Sequence, residues 1–172
     1  MSQAWPDRPW LAPMQAGDLL TVHAVEQASH AHPWTHGNFA DSLRDGHWAQ
    51  MLLQAPQPQA PVSWHVPQGA RLLGHVVAWL GVDEVHLLNL TVAPDSRRQG
   101  YASLLLAALH EWAQRQAAHA VWLEVRAGNA AAKALYQALG YQEVAVRARY
   151  YPLSATQRED AVVMRLPLTV AI

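Results

Sequence analysis

The chain has 172 residues, 51% of them hydrophobic, with 12 basic and 13 acidic side chains and a net charge of −1. That suffices for one substantial core, expected as a single domain over 1–172, and it excludes a field strong enough to draw nucleic acid or an anionic membrane by itself. The absence of cysteine removes disulfides, thiolate nucleophiles and cysteine metal ligands together, and with no secretory pattern and no run near the ~18 apolar residues of a membrane span, a cytoplasmic location is expected.

Trp10–Met14, following Pro6 and Pro9, predicts an edge strand, where prolines are tolerated. Asp18 is placed to cap a helix running to about Ala28, with Leu19, Val22, His23 and Glu26 at helical spacing. His30-Ala31-His32-Pro33-Trp34 breaks that pattern, and Thr35 then caps a second helix carrying Phe39 and Leu43 and closed by Asp45-Gly46. Two short helices joined by an aromatic, proline-bearing loop predict a lip over a cleft. The pair His30-x-His32 lacks carboxylate support, so no metal site is expected.

Trp48–Gln54 and Arg71–Leu80 read as strands joined by Ala55–Ala70, a connector with four prolines and almost no charge that is expected to form a mobile tip outside any core. A central strand, Val85–Val92, is stopped by Pro94 and followed by Arg97-Arg98-Gln99-Gly100-Tyr101-Ala102. The next helix presents Leu105, Ala108, Leu109 and Trp112 as one apolar stripe. Its first-turn N–H groups lack intrahelical partners and lie at the positive end of the dipole, which suits a phosphate, although strand, glycine turn and helix also describe an ordinary β–α junction. The spacing fits neither the dinucleotide fingerprint nor the Walker pattern.

Ala120–Arg126 alternates, with Val121, Leu123 and Val125 on one face and Trp122, Glu124 and Arg126 on the other. Glu124 is therefore a carboxylate on a strand, open to an ion pair with Arg126. Asn129 is placed to cap a helix whose buried stripe is Ala131, Leu135, Ala138 and Leu139, with Tyr136 one step round and Gly140 at the end. Gln142–Tyr151 and Ala161–Leu166 predict a closing antiparallel pair around the loop Pro152–Asp160. The expected order is β-α-α-β-β-β-α-β-α-β-β, an α/β fold on a mixed sheet.

The loop Arg97-x-x-Gly100-x-Ala102 resembles the pyrophosphate loop of the GCN5-related N-acetyltransferases (GNAT), and Leu123–Ala132 with Ala134-Leu135-Tyr136 and Leu139-Gly140-Tyr141 is similar to the second half of the same core. His32-Pro33-Trp34-Thr35, Leu88–Val92, Tyr150-Tyr151-Pro152 and Arg158–Ala161 look like the RimI branch, which acetylates the N-terminal alanine of a small-subunit ribosomal protein. The resemblance covers roughly Leu11 to Leu166. Ala102 stands where relatives commonly carry glycine, and the Ala55–Ala70 connector is longer than expected for that branch.

This resemblance implies an acetyl-CoA-dependent N-terminal acetyltransferase that works by direct attack in a ternary complex, with a substrate protein's N-terminal peptide as partner, no metal, and a monomer as the working form. Glu124 is implied as general base and Tyr136 as the acid for the departing thiolate. Leu90, Thr91 and Val92 are implied as backbone contacts to the pantetheine arm, Arg97, Arg98, Gln99, Gly100, Tyr101, Ala102 and Ser103 as the diphosphate seat, and Asn129 as a further cofactor contact that an ordinary helix cap explains equally well. Trp34, Tyr150 and Tyr151 are implied at the peptide. Transfer to lysine or a small amine, and a binding module that senses acetyl-CoA without turnover, are the rival readings; having both Glu124 and Tyr136 argues against the second.

Overall fold

A computed structural model describes residues 4–57 and 64–169. Seven strands form one sheet in the order β1-β2-β3-β4-β5-β7-β6, with neighbours hydrogen-bonded. They are β1 (Trp10–Pro13), β2 (Trp48–Gln54), β3 (Arg71–Leu80), β4 (Glu84–Val92), β5 (Ala120–Arg126), β6 (Gln142–Pro152) and β7 (Arg158–Pro167), and the helices are α1 (Leu19–Ser29), α2 (His36–Arg44), α3 (Tyr101–Arg115) and α4 (Ala130–Ala138). This is the mixed α/β sheet and element order read from the sequence. Pairing is antiparallel along β1-β2-β3 and parallel between β4 and β5, with β7 antiparallel to both β5 and β6. Among the described residues no helix is long and apolar enough to cross a membrane.

By contacts the chain divides into two compact units, Met1–Ala78 with Asn89–Ala107, and Trp79–Leu88 with Ala108–Ile172. In the first, α1 buries Leu19, Val22, Val25 and Glu26, so Val25 rather than His23 completes the inward stripe. Asp18 does not cap α1. It closes a short 3-10 turn, Ala16–Asp18, and its carboxylate accepts the Gln15 N–H at 2.9 Å. α2 begins as expected: Thr35 accepts the Asn38 N–H while Asn38 Oδ1 accepts the Thr35 N–H, a reciprocal cap.

The connector departs from expectation. Residues 58–63 lie outside the described residues, but Val66 and Ala70 are buried and Trp64 packs on the same core as Phe39, Met51 and Leu72. A tight turn closed by the Val66 N–H on the Ala70 carbonyl satisfies its backbone. Nearby, β3 and β4 come so close that a Cβ on Gly74 would lie 2.5 Å from the Thr91 carbonyl oxygen and 3.2 Å from the Val92 Cα, which leaves room only for glycine.

In the second unit β5 buries Val121, Leu123 and Val125 and leaves Trp122, Glu124 and Arg126 half-buried, as its alternation predicts. α4 does not bury its alanines: Tyr136 is its buried residue, Leu135 and Leu139 are half-buried, and Ala131 and Ala138 are exposed. In an alanine-rich helix nearly every face is apolar, so the large ring takes the core position. β6 is a long exposed edge strand whose register against β7 shifts between Arg147 and Tyr151.

Candidate active site

The first unit holds the glycine turn. Arg71, buried at the start of β3, donates to Asp95 Oδ2 at 2.9 Å and to Ser96 Oγ at 3.3 Å, which pins the turn that follows β4. Beyond it Arg98 and Gly100 take positive φ of 60° and 80°, a sequence of backbone conformations that gathers N–H groups into an anion-binding concavity. The first rung of α3 joins the Leu104 N–H to the Gly100 carbonyl, which leaves the amides of Tyr101, Ala102 and Ser103 ahead of it without helical partners. Arg97 through Gly100 are exposed, and a Cβ added at Gly100 would meet nothing within 4 Å. The turn is thus open and donor-rich, which fits a diphosphate. Arg97, expected to lend it charge, instead donates to the Ser29 carbonyl at the end of α1 at 3.1 Å, so Arg98 is the arginine of the pair that carries the αL turn itself.

Behind that turn the first unit contains a buried carboxylate that sequence reasoning missed. Glu26 Oε1 accepts the Trp34 N–H at 3.0 Å and Asn89 Nδ2 at 3.1 Å, while Oε2 accepts Thr91 Oγ1 at 2.8 Å and His75 Nε2 at 3.3 Å. Because Thr91 spends its proton on Glu26, its oxygen accepts from His30 Nε2 at 2.8 Å. Burial by itself raises the Glu26 pKa, but the bonds from His75, Trp34 and Thr91 and the charge on His30 together outweigh it and bring it down to about 2. One ionised group thereby ties α1, the loop bearing Trp34, β3 and the end of β4 together. Trp34 packs with its ring 5.2 Å from Phe39, and Leu90, Thr91 and Val92 form the end of β4 that this network holds. His30 is committed to Thr91; among the described residues no group of three or more His, Cys, Asp or Glu is placed to hold a metal ion.

The second unit holds the other expected residues. Glu124 is half-buried, and its partner is Arg147 on β6, with Nε 2.6 Å from Oε1. Arg126, the partner suggested by sequence, instead binds Glu159 at 2.9 Å and the Pro152 carbonyl, with its guanidinium 4.6 Å from the centre of the Tyr151 ring. Tyr150 makes a hydrogen bond with Glu124, which with the nearby negative charge raises the phenol's pKa. Tyr150 and Tyr151 meet edge to face, 5.0 Å between centroids. Tyr136 lies 5.5 Å from Tyr141, and burial first, then the neighbouring Tyr151, pushes its pKa up to about 12. Asn129 caps α4 by accepting the Ala132 N–H at 3.2 Å.

The structure therefore brings Glu124, Tyr150 and Tyr151 into one cluster with Arg126, Arg147 and Glu159, and places the glycine turn with Leu90–Val92 and Trp34 in the first unit. Arg147 had no signal in the sequence, because in a regular strand it and Tyr150, three residues apart, would point to opposite faces.

Residues 19–141 match the model of the Acetyltransferase (GNAT) family. The chain is 32% identical over 160 residues, 93% of its length and 98% of the relative's, to the [Ribosomal protein bS18]-alanine N-acetyltransferase of Escherichia coli K12. The crystal structure of the ribosomal-protein-S18-alanine N-acetyltransferase from Escherichia coli superposes with a TM-score of 0.79 at 32% identity, covering 95% of this chain and 96% of that one. Arabidopsis thaliana NAA60 in complex with acetyl-CoA shares the fold with a TM-score of 0.78 at 17% identity, over 94% and 99% of the two chains.

Proposed function

The chain belongs to the GNAT family and is an N-acetyltransferase that uses acetyl-CoA, and from that premise we propose that its acceptor is the α-amine of an N-terminal alanine on a small-subunit ribosomal protein. The likeness at 32% identity along nearly the whole chain to the Escherichia coli bS18-alanine enzyme carries this reading. On it, residues 1–172 work as a single acetyltransferase domain, a monomer in the cytoplasm whose macromolecular partner is a peptide N-terminus. The net charge of −1 accords with a partner that is not a nucleic acid or a membrane surface.

The chemistry agrees. Acetyl-CoA supplies the acetyl group as a thioester, and the open turn over Arg97, Arg98, Gln99, Gly100, Tyr101, Ala102 and Ser103 is the part of this chain suited to its diphosphate, with Leu90–Val92 and Asn129 as the further contacts. An α-amine of pKa ~7.7–8.0 is already about a tenth neutral at pH 7, whereas a lysine at ~10.4 is neutral to less than about one part in a thousand. A lone carboxylate is base enough for the first. Glu124 takes the proton that the amine loses on attack, and Tyr136 gives a proton to the departing thiolate; with its pKa near 12 the phenol is fully protonated at neutral pH. For the peptide, Tyr150 and Tyr151 beside Glu124 are the proposed contacts of the second unit, and Trp34 is the proposed contact of the first.

Mass spectrometry of a panel of N-terminal peptides after incubation with acetyl-CoA tests the reading. An Ala-initiated peptide is expected to gain an acetyl group on its α-amine and an N-blocked lysine peptide none; the opposite pattern would transfer the activity to side chains. Tyr136→Phe keeps the packed ring and removes the proton. It is expected to lower kcat about ten- to a hundredfold with the KM for acetyl-CoA within about twofold, and unchanged turnover would end its assignment as the acid.

A further inference from the structure

β5 and β6 are separated in the sheet by β7, yet two side chains of β6 converge on one carboxylate of β5. Arg147 pairs with Ala161 of β7, and the next registered pair is Tyr151 with Glu159, so four steps along β6 match two along β7. The surplus is absorbed at Arg149, whose φ is 53° and whose N–H is taken by Asp160 Oδ1 at 2.9 Å, while the Arg158 side chain donates to the Arg149 and Tyr150 carbonyls. A bulge of this kind re-aims side chains. Here it undoes the alternation, so that Arg147 and Tyr150 both reach Glu124.

We propose that Arg147 is the resting counter-ion of Glu124 and is displaced by the positively charged α-ammonium of the incoming peptide, which makes it a positioning residue that sets how tightly the amine binds. This rests on Glu124 being the base of the proposed reaction. The guanidinium 2.6 Å from Oε1 occupies one of the two carboxylate oxygens and offsets its charge, so an ammonium seated at that oxygen competes with the arginine. Arginine is the partner able to leave: its side chain is 57% exposed against 26% for Glu124, so it re-enters water at little cost. The Tyr150 ring, 5.6 Å from the guanidinium carbon, offers a ledge for it. Guanidinium out and ammonium in leaves the charge of the site unchanged; the ammonium proton passes through Glu124 to water, which frees the carboxylate to take the second proton that the neutral amine sheds on attack, and the arginine stays protonated throughout.

An exchange of one cation for another should respond weakly to salt, because screening weakens the bond broken and the bond made alike. Steady-state kinetics at saturating acetyl-CoA, with whichever amine the peptide panel identifies, are to be measured at low and high ionic strength for the unmodified protein, Arg147→Gln and Arg147→Lys. The unmodified KM for the amine is expected to change little with salt. Arg147→Gln should lower it about two- to fivefold at low salt, the range an exposed ion pair supports, and make it climb as salt is added, while Arg147→Lys keeps the salt-insensitive behaviour. The KM for acetyl-CoA and the thermal midpoint control for folding. A KM that rises in Arg147→Gln, or a salt response no different from the parent, overturns the exchange and makes Arg147 a peptide contact or a strut. Should Arg147→Gln not fold, a more than tenfold rise in the KM of Arg147→Lys would overturn it equally. Failure of the substrate reading shows separately, in which peptide the panel modifies.

Discussion

Glu124→Gln is expected to lower kcat about a hundredfold or more at pH 7, with the KM for acetyl-CoA within about twofold. The amide keeps the shape and an oxygen for Tyr150 but cannot accept the amine's proton. What remains is attack by the fraction of amine already neutral, about a tenth at pH 7 and most of it by pH 9. The deficit should therefore narrow by about tenfold between pH 7 and pH 9 and be larger still at pH 6, as kcat profiles across that range would register. A loss that is flat with pH and shared by acetyl-CoA affinity would make Glu124 a structural group.

Glu26→Ala is expected to destabilise the fold by about 3–5 kcal/mol, the usual cost of removing one member of a buried charged cluster, as read by urea unfolding. It strips four donors of their common acceptor at once, and each buried donor left bare carries its desolvation penalty. Glu26→Gln does not rescue, since an amide brings two donors into a site already full of them. The pH dependence has a definite sign. The folded pKa, about 2, is below the ordinary 4.5, so the folded state binds fewer protons; this stability is present above pH 4.5 and is lost as pH falls from there toward 2. Acid unfolding of either variant should show a flatter slope in that window. A cost under about 1 kcal/mol with an unchanged slope would mean that the cluster is incidental.

Local signals carried the strands and most of the helices. β2, β3 and β5 begin and end where their residue types change, because an alternating stretch, as in β5, or a near-continuous apolar run, as in β3, suffices to define a strand when it lies between turn formers. The Thr35 cap was equally legible, being settled within four residues. Where the outcome depends on what lies opposite, sequence pattern fails. The α4 alanines look as apolar as any core residue, yet only its neighbours decide that the tyrosine goes in. Glu26 sits on an apolar stripe with nothing nearby in sequence to explain it, since its partners come from His75, Asn89 and Thr91, more than forty residues away, and from a loop amide. Val66 and Ala70 lie in a proline-rich stretch whose composition suggests a solvated tip, but a single turn folds them under Trp64. Glu124 was found from its strand position, while its actual partner was not, because a φ of 53° at Arg149 leaves no mark in the residue types.

The surplus residues of β6 make count matter more than identity there. Ala148 and Arg149 act as a spacer: their side chains are exposed, but removing both would restore one-to-one pairing with β7, make Arg147 and Tyr150 neighbours on opposite faces, and turn either the arginine or the phenol away from its target. Variation among kindred chains should thus be sought in the letters of this stretch and not in its number of letters.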